Sequence, residues 1–246
     1  HSPWIWTENF FSRHNLLMTD GNNGYDAVPT KTLVADTPEF VMHWEKEKEW
    51  YEKGWYGYKG RAWGDSQAPF TAGEAAFWFG SAASFGGMKG VLPNFTTNPI
   101  LYWDSVTGGK EYPTFIGGAA NWILNGHTEE EYKGLAKFIE SMGTPEMDLY
   151  YHNMTGYAAV TKGGIELAET INFYRTSPYH KAVGDQLGLE GSTIPGGYRA
   201  GNWPQIREVI YENVEPMLNG DISVEKALGN MDKGAEKLLA QFAKTL

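Results

Sequence analysis

The chain of 246 residues contains no cysteine. That absence excludes disulfides, thiolate nucleophiles and cysteine-based zinc sites. Positive charge is scarce as well: 20 lysines and arginines stand against 30 aspartates and glutamates, a formal net charge of -10. No basic stripe of the kind that tracks a phosphate backbone is present, which argues against a nucleic-acid partner. A local anion site is still allowed, because a small ligand responds to nearby charge rather than to the total. No apolar run reaches the about 18 residues that a membrane span needs. No signal-peptide pattern precedes the opening His1-Ser2-Pro3-Trp4, a start expected of a processed or truncated product.

Catalytic and cofactor motifs are missing too. There is no P-loop, no GxGxxG after a strand, no HExxH and no GxSxG. The histidines His1, His14, His43, His127, His152 and His180 stand at no metal-ligand spacing, so neither a metal nor a cofactor is expected. Among the carboxylates, Glu8 and Asp20 lie in aromatic surroundings. A glycosidase would need two such groups at a set separation, which sequence does not reveal. An interaction fragment without a ligand of its own is a further alternative.

What the chain does have is aromatic surface. Phe, Trp and Tyr make up 15% of it, with 10 tryptophans, and such side chains either fill cores or line ligand sites. Trp6, Trp63 and Trp78 read as core or rim packing. The first 35 residues read as strand and loop, with a turn at Gly21-Asn22-Asn23-Gly24. Asp36 or Thr37 then caps a helix with Pro38 in its first turn; Phe40, Trp44 and Tyr51 share one face, and Gly54 closes it. Residues 75–79 predict a buried strand ending at Gly80-Ser81. After a loop carrying Pro93, Pro99 and Gly108-Gly109, residues 119–124 predict a second. Thr128 to Glu131 fits a capping box, followed by Leu135, Phe138, Ile139 and Met142 at helical spacing, and Gly143 as the stop. Thr144-Pro145-Glu146 opens another helix, and residues 157–161 predict a short extended segment. Asn202 and Ser223 start the last two helices. The charge run 45–48 reads as a solvated helix face. Alternating strands and helices predict an α/β protein.

Several segments together resemble one family. They are Trp4-Ile5 with Glu8-Asn9-Phe10, Asn22-Asn23-Gly24, Phe70-Thr71-Ala72-Gly73-Glu74-Ala75-Ala76-Phe77, and Ile116-Gly117-Gly118-Ala119-Ala120-Asn121-Trp122. Later ones are Tyr132-Lys133-Gly134-Leu135, Thr155-Gly156-Tyr157 with Val160-Thr161-Lys162, Gly197-Tyr198-Arg199-Ala200-Gly201-Asn202 and Pro204-Gln205-Ile206-Arg207. The pattern is similar to the family-1 extracellular solute-binding proteins of ABC importers, in particular their glycerol-3-phosphate-binding members. Ala158-Ala159 stands where that family usually has a proline after its TGY motif. The resemblance implies an α/β, periplasmic binding protein-like type II fold. Members are considerably longer, so it also implies a fragment. Residues 1–90 and 155–246 would form most of the second (C-terminal) lobe, and 91–154 a segment returning to the first. Hinge crossings would fall near 91–95 and 153–157.

The resemblance further implies a ligand held between lobes, delivered to ABC transporter membrane subunits, in the periplasm or from a lipid anchor at the outer face of the cell membrane. The ligand would be a phosphorylated polyol, glycerol-3-phosphate or a glycerophosphodiester; an oligosaccharide is the alternative. Read from the residues, a phosphate needs a fixed cation, hydroxyls and free backbone N–H groups. Arg199 offers a bidentate fork between Gly197 and Gly201, although by itself it could instead pair with a surface carboxylate. Ser81 offers a hydroxyl or a mere strand-end cap. Gly117 and Gly118 offer unobstructed amides or only a tight crossover. Tyr157 offers a donor or core packing, and Trp4 a wall for the glycerol portion or core packing. The resemblance points to these same positions as ligand contacts. With one lobe incomplete, weak or absent capture by this chain alone is expected.

Overall fold

The computed structural model describes residues 2–62, 64–92, 94–118 and 120–246. His1, Trp63, Pro93 and Ala119, named in the expectations above, lie outside the described residues. Along the chain run α1 (Pro3–Arg13), α2 (Pro38–Glu52), α3 (Glu129–Met142), α4 (Pro145–Thr155), α5 (Lys162–Thr170), α6 (Pro178–Leu187), α7 (Trp203–Leu218) and α8 (Val224–Ala243), with shorter helical turns between them. The chain divides into two compact units. Unit 1 comprises His1–Gly80, Ile100–Phe115 and Leu189–Leu246; unit 2 comprises Ser81–Pro99 and Ile116–Gly188.

Unit 1 is built by α1, α2, α7 and α8 packing on one another. Its core joins Phe10 and Phe11 of α1, Phe40 and Trp44 of α2, Ile206, Ile210, Val214 and Met217 of α7, and Leu228, Met231 and Leu239 of α8. The start of α2 is where Thr37-Pro38 predicts it, and Gly54 ends the segment with φ 72°. Thr37 does not cap with its side chain; its hydroxyl donates back to the Leu33 carbonyl at 2.6 Å. Ser223 caps α8 as expected, accepting from the Lys226 amide at 3.2 Å. Asn202 sits left-handed at φ 55° before α7 and makes no side-chain cap. Its amide instead donates to the Leu238 carbonyl at 2.8 Å, tying α7 to α8.

Two expectations change within this unit. Residues 3–13 form a helix, not a strand. Pro3 occupies its first turn, and burial of Ile5, Trp6, Phe10 and Phe11 overrides the β preference of an aromatic-rich run. Residues 75–79 form no strand: Phe77 is 84% exposed, while the Phe79 ring packs 4.8 Å from Trp6 and Trp78 Nε1 donates to Ser66 Oγ at 3.1 Å. Here the apolar run is held by side-chain packing rather than by a ladder.

Unit 2 centres on Phe85, Met88, Ala168, His152 and His180. The rings of Phe85 and His180 lie 4.7 Å apart, and those of His152 and His180 4.8 Å. Asp148 of α4 is buried and accepts the Thr161 amide at 2.8 Å and the Val160 amide at 3.1 Å, binding the start of α5 to α4. Gly164 makes room for this: a Cβ there would lie 2.3 Å from Asp148 Oδ2. The capping box of α3 forms as the sequence predicts, Thr128 and Glu131 exchanging both bonds. Yet no residue of α3 is buried.

Among the described residues there is no β-ladder, only an isolated antiparallel bridge between Thr19 and Thr32. Of the strand expected at 119–124, residues 120–124 are described; they and the extended segment at 157–161 find no partner strand among the described residues, and Trp122 is 87% exposed. A strand exists only where a neighbour takes up its N–H and C=O groups, so the described residues are helical and do not bear out the expected α/β character. Among the described residues no helix is long and apolar enough to cross a membrane.

Candidate functional site

In unit 1, α1 sets Trp4 and Glu8 one turn apart, and α7 does the same for Trp203 and Arg207. The two helices meet at Glu8. Its fully buried carboxylate accepts from the Tyr198 hydroxyl at 2.6 Å, Trp203 Nε1 at 2.9 Å, Arg207 Nε at 2.6 Å and Arg207 Nη2 at 2.8 Å. Burial opposes the charge of Arg207, but the bonds and charge of Glu8 still carry its pKa above the ordinary arginine value. Burial, with Glu8 beside it, likewise pushes the Tyr198 phenol well above its usual range, so it stays a donor. Trp4 closes the group, its ring centroid 3.8 Å from Arg207 Cζ.

Arg199 lies one residue beyond Tyr198 on a different support. Gly21, Asn22 and Asn23 all have φ between 54° and 60°, a left-handed turn that asparagine tolerates and most residues do not. Asn23 locks it, its side-chain oxygen accepting from the Met18 amide at 2.8 Å and the Thr19 amide at 3.0 Å. The Asn23 carbonyl then accepts the Arg199 amide at 2.8 Å. At Gly24, with φ 79°, a Cβ would fall 2.1 Å from the Arg199 carbonyl oxygen, so only glycine permits this approach. The exposed Arg199 guanidinium stacks 4.2 Å from the centroid of Tyr25 and makes no ion pair among the described residues. It borders an open groove of about 490 Å³ with Gly24, Val28, Pro29, Gly201 and Phe242.

In unit 2, Ser81 caps a short turn, its Oγ accepting from the Ala83 amide at 3.2 Å. Gly156 ends α4 left-handed at φ 86°, and a Cβ there would lie 2.5 Å from the Ala82 carbonyl. The residues next to Ser81 and Tyr157 are thus held together. Tyr157 is 46% exposed, not core. Its carbonyl accepts from His152 Nδ1, which fixes the proton on that nitrogen. Gly117 and Gly118 are exposed, and a Cβ at Gly118 would meet nothing within 4 Å. No close approach explains a glycine there.

The structure therefore brings Ser81 and Tyr157 together in unit 2 and pairs Trp4 with Arg207 in unit 1. It leaves Gly118 in open surroundings. Glu8 and Asp20 are both engaged as acceptors, Asp20 by the Thr30 amide at 2.8 Å and the Lys31 amide at 3.2 Å. Sequence reasoning gave no site role to Tyr25 or Trp203, nor to Tyr198 and Arg207, which it named only within family-like segments. The turn spacings Trp4/Glu8 and Trp203/Arg207 carry a faint signal of the pairing, but nothing in sequence says that the two helices meet. Among the described residues no group of three or more His, Asp or Glu is placed to hold a metal.

Residues 4–172 match the family model described as bacterial extracellular solute-binding protein. The chain is similar to the sn-glycerol-3-phosphate-binding periplasmic protein UgpB of Escherichia coli (strain K12), 30% identical over 244 residues, 98% of this chain and 55% of that protein. The protein of the same name from Shigella flexneri matches to the same extent, 30% identical over 98% of this chain. The chain spans about half the length of these curated relatives (55%). A crystal structure of the cyclic alpha-maltosyl-1,6-maltose binding protein from Arthrobacter globiformis superposes with a TM-score of 0.61 at 18% identity, covering 97% of this chain and 56% of that one. At that identity the match speaks to fold alone.

Proposed function

We propose, from the premise that this chain belongs to the bacterial extracellular solute-binding proteins, that it is the part of a glycerol-3-phosphate or glycerophosphodiester receptor that carries the phosphate-binding arginine. The family binds solutes rather than transforming them, and the two UgpB relatives named above are periplasmic. The reading extends to an exported protein that hands its solute to ABC transporter membrane subunits. On this reading Trp4 and Arg199 of unit 1, and Ser81, Gly117, Gly118 and Tyr157 of unit 2, are solute contacts. Residues 1–90 with 155–246 would belong to the second lobe of the longer protein and 91–154 to a segment returning to the first. The α/β sheets would then be completed by polypeptide that this chain does not contain.

One observation supports the proposal: among the described residues Arg199 is an exposed cation without a carboxylate partner, on a backbone pinned by a left-handed turn. A planar fork so held is pre-organised for phosphate, whereas sugar sites rely more on aromatic stacking and carboxylates. Calorimetry on the full-length protein tests it. Arg199→Ala is expected to weaken glycerol-3-phosphate binding by about 10- to 100-fold, the value of a charge-assisted bond pair. Unchanged phosphate affinity, or binding of a maltose oligosaccharide in its place, would sink the reading. For this chain alone, weak or absent capture is expected; micromolar binding would overturn that.

A further inference from the structure

Arg207 touches both the buried centre of unit 1 and a proposed solute contact. Nε and Nη2 donate to Glu8 at 2.6 and 2.8 Å, and Cζ lies 3.8 Å from the Trp4 ring centroid. The Glu8 side chain is 0% exposed and that of Arg207 31%. The guanidinium is thus gripped along its edge by a carboxylate and covered on its face by an indole. A fork bonded through two nitrogens cannot turn without breaking both bonds. Removing either partner would strand a buried charge, so the pair holds one geometry. Because the pair is neutral overall, what it transmits to Trp4 is orientation rather than field.

We propose that Arg207 is a positioning residue for solute binding: clamped by Glu8, it fixes the plane of the Trp4 indole and so presents that ring to the solute. The proposal rests on the reading that Trp4 meets the solute. Lysine at this position would keep the cation and lose the planar fork, so charge and orientation can be separated. Tyr198 supplies the internal control. It donates to the same carboxylate and also bears on Arg207 itself, but both Arg207 bonds to Glu8 are made by other atoms and are expected to survive its removal.

The experiment is ¹⁹F NMR of the chain labelled with 5-fluorotryptophan, with the Trp4 line among the 10 tryptophans assigned by its loss in Trp4→Phe. Arg207→Lys is expected to shift or split the Trp4 line while leaving most other lines in place; Tyr198→Phe is expected to leave it unmoved. An unmoved Trp4 line in Arg207→Lys, or an equal shift in both variants, overturns the proposal, since the second outcome means general damage to the core. If Arg207→Lys fails to fold, the wild-type chain decides: a nuclear Overhauser contact between Arg207 Nε–H and the Trp4 ring is required, and its absence overturns the clamp. Millimolar glycerol-3-phosphate added to the full-length wild-type protein, labelled in the same way, separates the two layers. A Trp4 line that moves supports the solute contact; one that stays fixed removes that reading, while the variants still decide whether Arg207 sets the ring.

Discussion

Unit 1 and unit 2 are built from helices of similar regularity, yet they treat apolar surface differently. In unit 1 the apolar faces of α1, α2, α7 and α8 find one another, and Phe10, Phe40, Trp44, Val214 and Leu228 are at most 1% exposed. In unit 2, α3 has as clear an amphipathic face and a complete capping box, but Phe138 is 54% exposed and nothing in the helix is buried. Unit 2 instead relies on polar devices: Asp148 gathering amides, and two imidazoles within an aromatic cluster. Local helix formation and burial are separate achievements, since a cap and a periodic face form a helix without giving it anything to pack against.

The largest expected effect tests that contrast directly. Phe10→Ala should cost unit 1 roughly 3 to 5 kcal/mol in urea unfolding, the usual cost of emptying a phenylalanine site in a close-packed core. Phe138→Ala in unit 2 should stay within about 0.5 kcal/mol, as for an exposed position. Equal losses would mean that α3 is covered in solution and would break the comparison.

A smaller effect follows from acid. Burial lowers His14 in unit 1 from 6.5 to about 4, its Nδ1 donating to the Phe10 carbonyl and its Nε2 accepting from the Trp103 amide. In unit 2 burial, and the His152 ring beside it, lower His180 from 6.5 to about 4. Both are held neutral in the folded chain, so the unfolded chain takes up protons that the folded one refuses. Their stabilisation is complete above pH 6.5 and is lost as pH falls toward 4. Hydrogen exchange between pH 7 and 4.5 should therefore show both units loosening, by on the order of 2 kcal/mol for each histidine after allowing for residual solvent. A pH-independent stability across that window would contradict these environments. His180→Asn should flatten the response in unit 2 alone.

The smallest effect sharpens the picture of α3. Thr128→Ala removes one half of its capping box, worth about 1 kcal/mol. With no buried side chain to compensate, the loss should appear as fraying at residues 129–132 in amide exchange and leave unit 1 untouched.

Much of this was legible beforehand, residue by residue. Thr37-Pro38, Thr128 to Glu131, Thr144-Pro145 and Ser223 mark helix starts that form where predicted, because capping and proline placement act over a single turn. The turn at 21–24 was visible for the same reason. Arg199 stood out as a fork between glycines. What the sequence misplaced were elements whose nature depends on a neighbour: α1, whose aromatic run suits a strand until α7 packs on it, and residues 75–79 and 120–124, which read as strands although no ladder forms beside them among the described residues. Arg207, named only as part of a family-like segment, was given no site role because that role requires knowing that α1 and α7 cross at Glu8.

The sequence alone determined where the capped and proline-marked helices begin, which residues could bind an anion, and which motifs are absent, since each depends on groups a few bonds apart. Only the tertiary structure decided which apolar faces are buried, that Glu8 is a buried acceptor rather than a free acid, and that Arg199 rides on a left-handed turn. Those outcomes depend on groups brought together from distant parts of the chain, as Glu8 and Arg207 are, and the free energy of such meetings is set by packing and desolvation that no local pattern records.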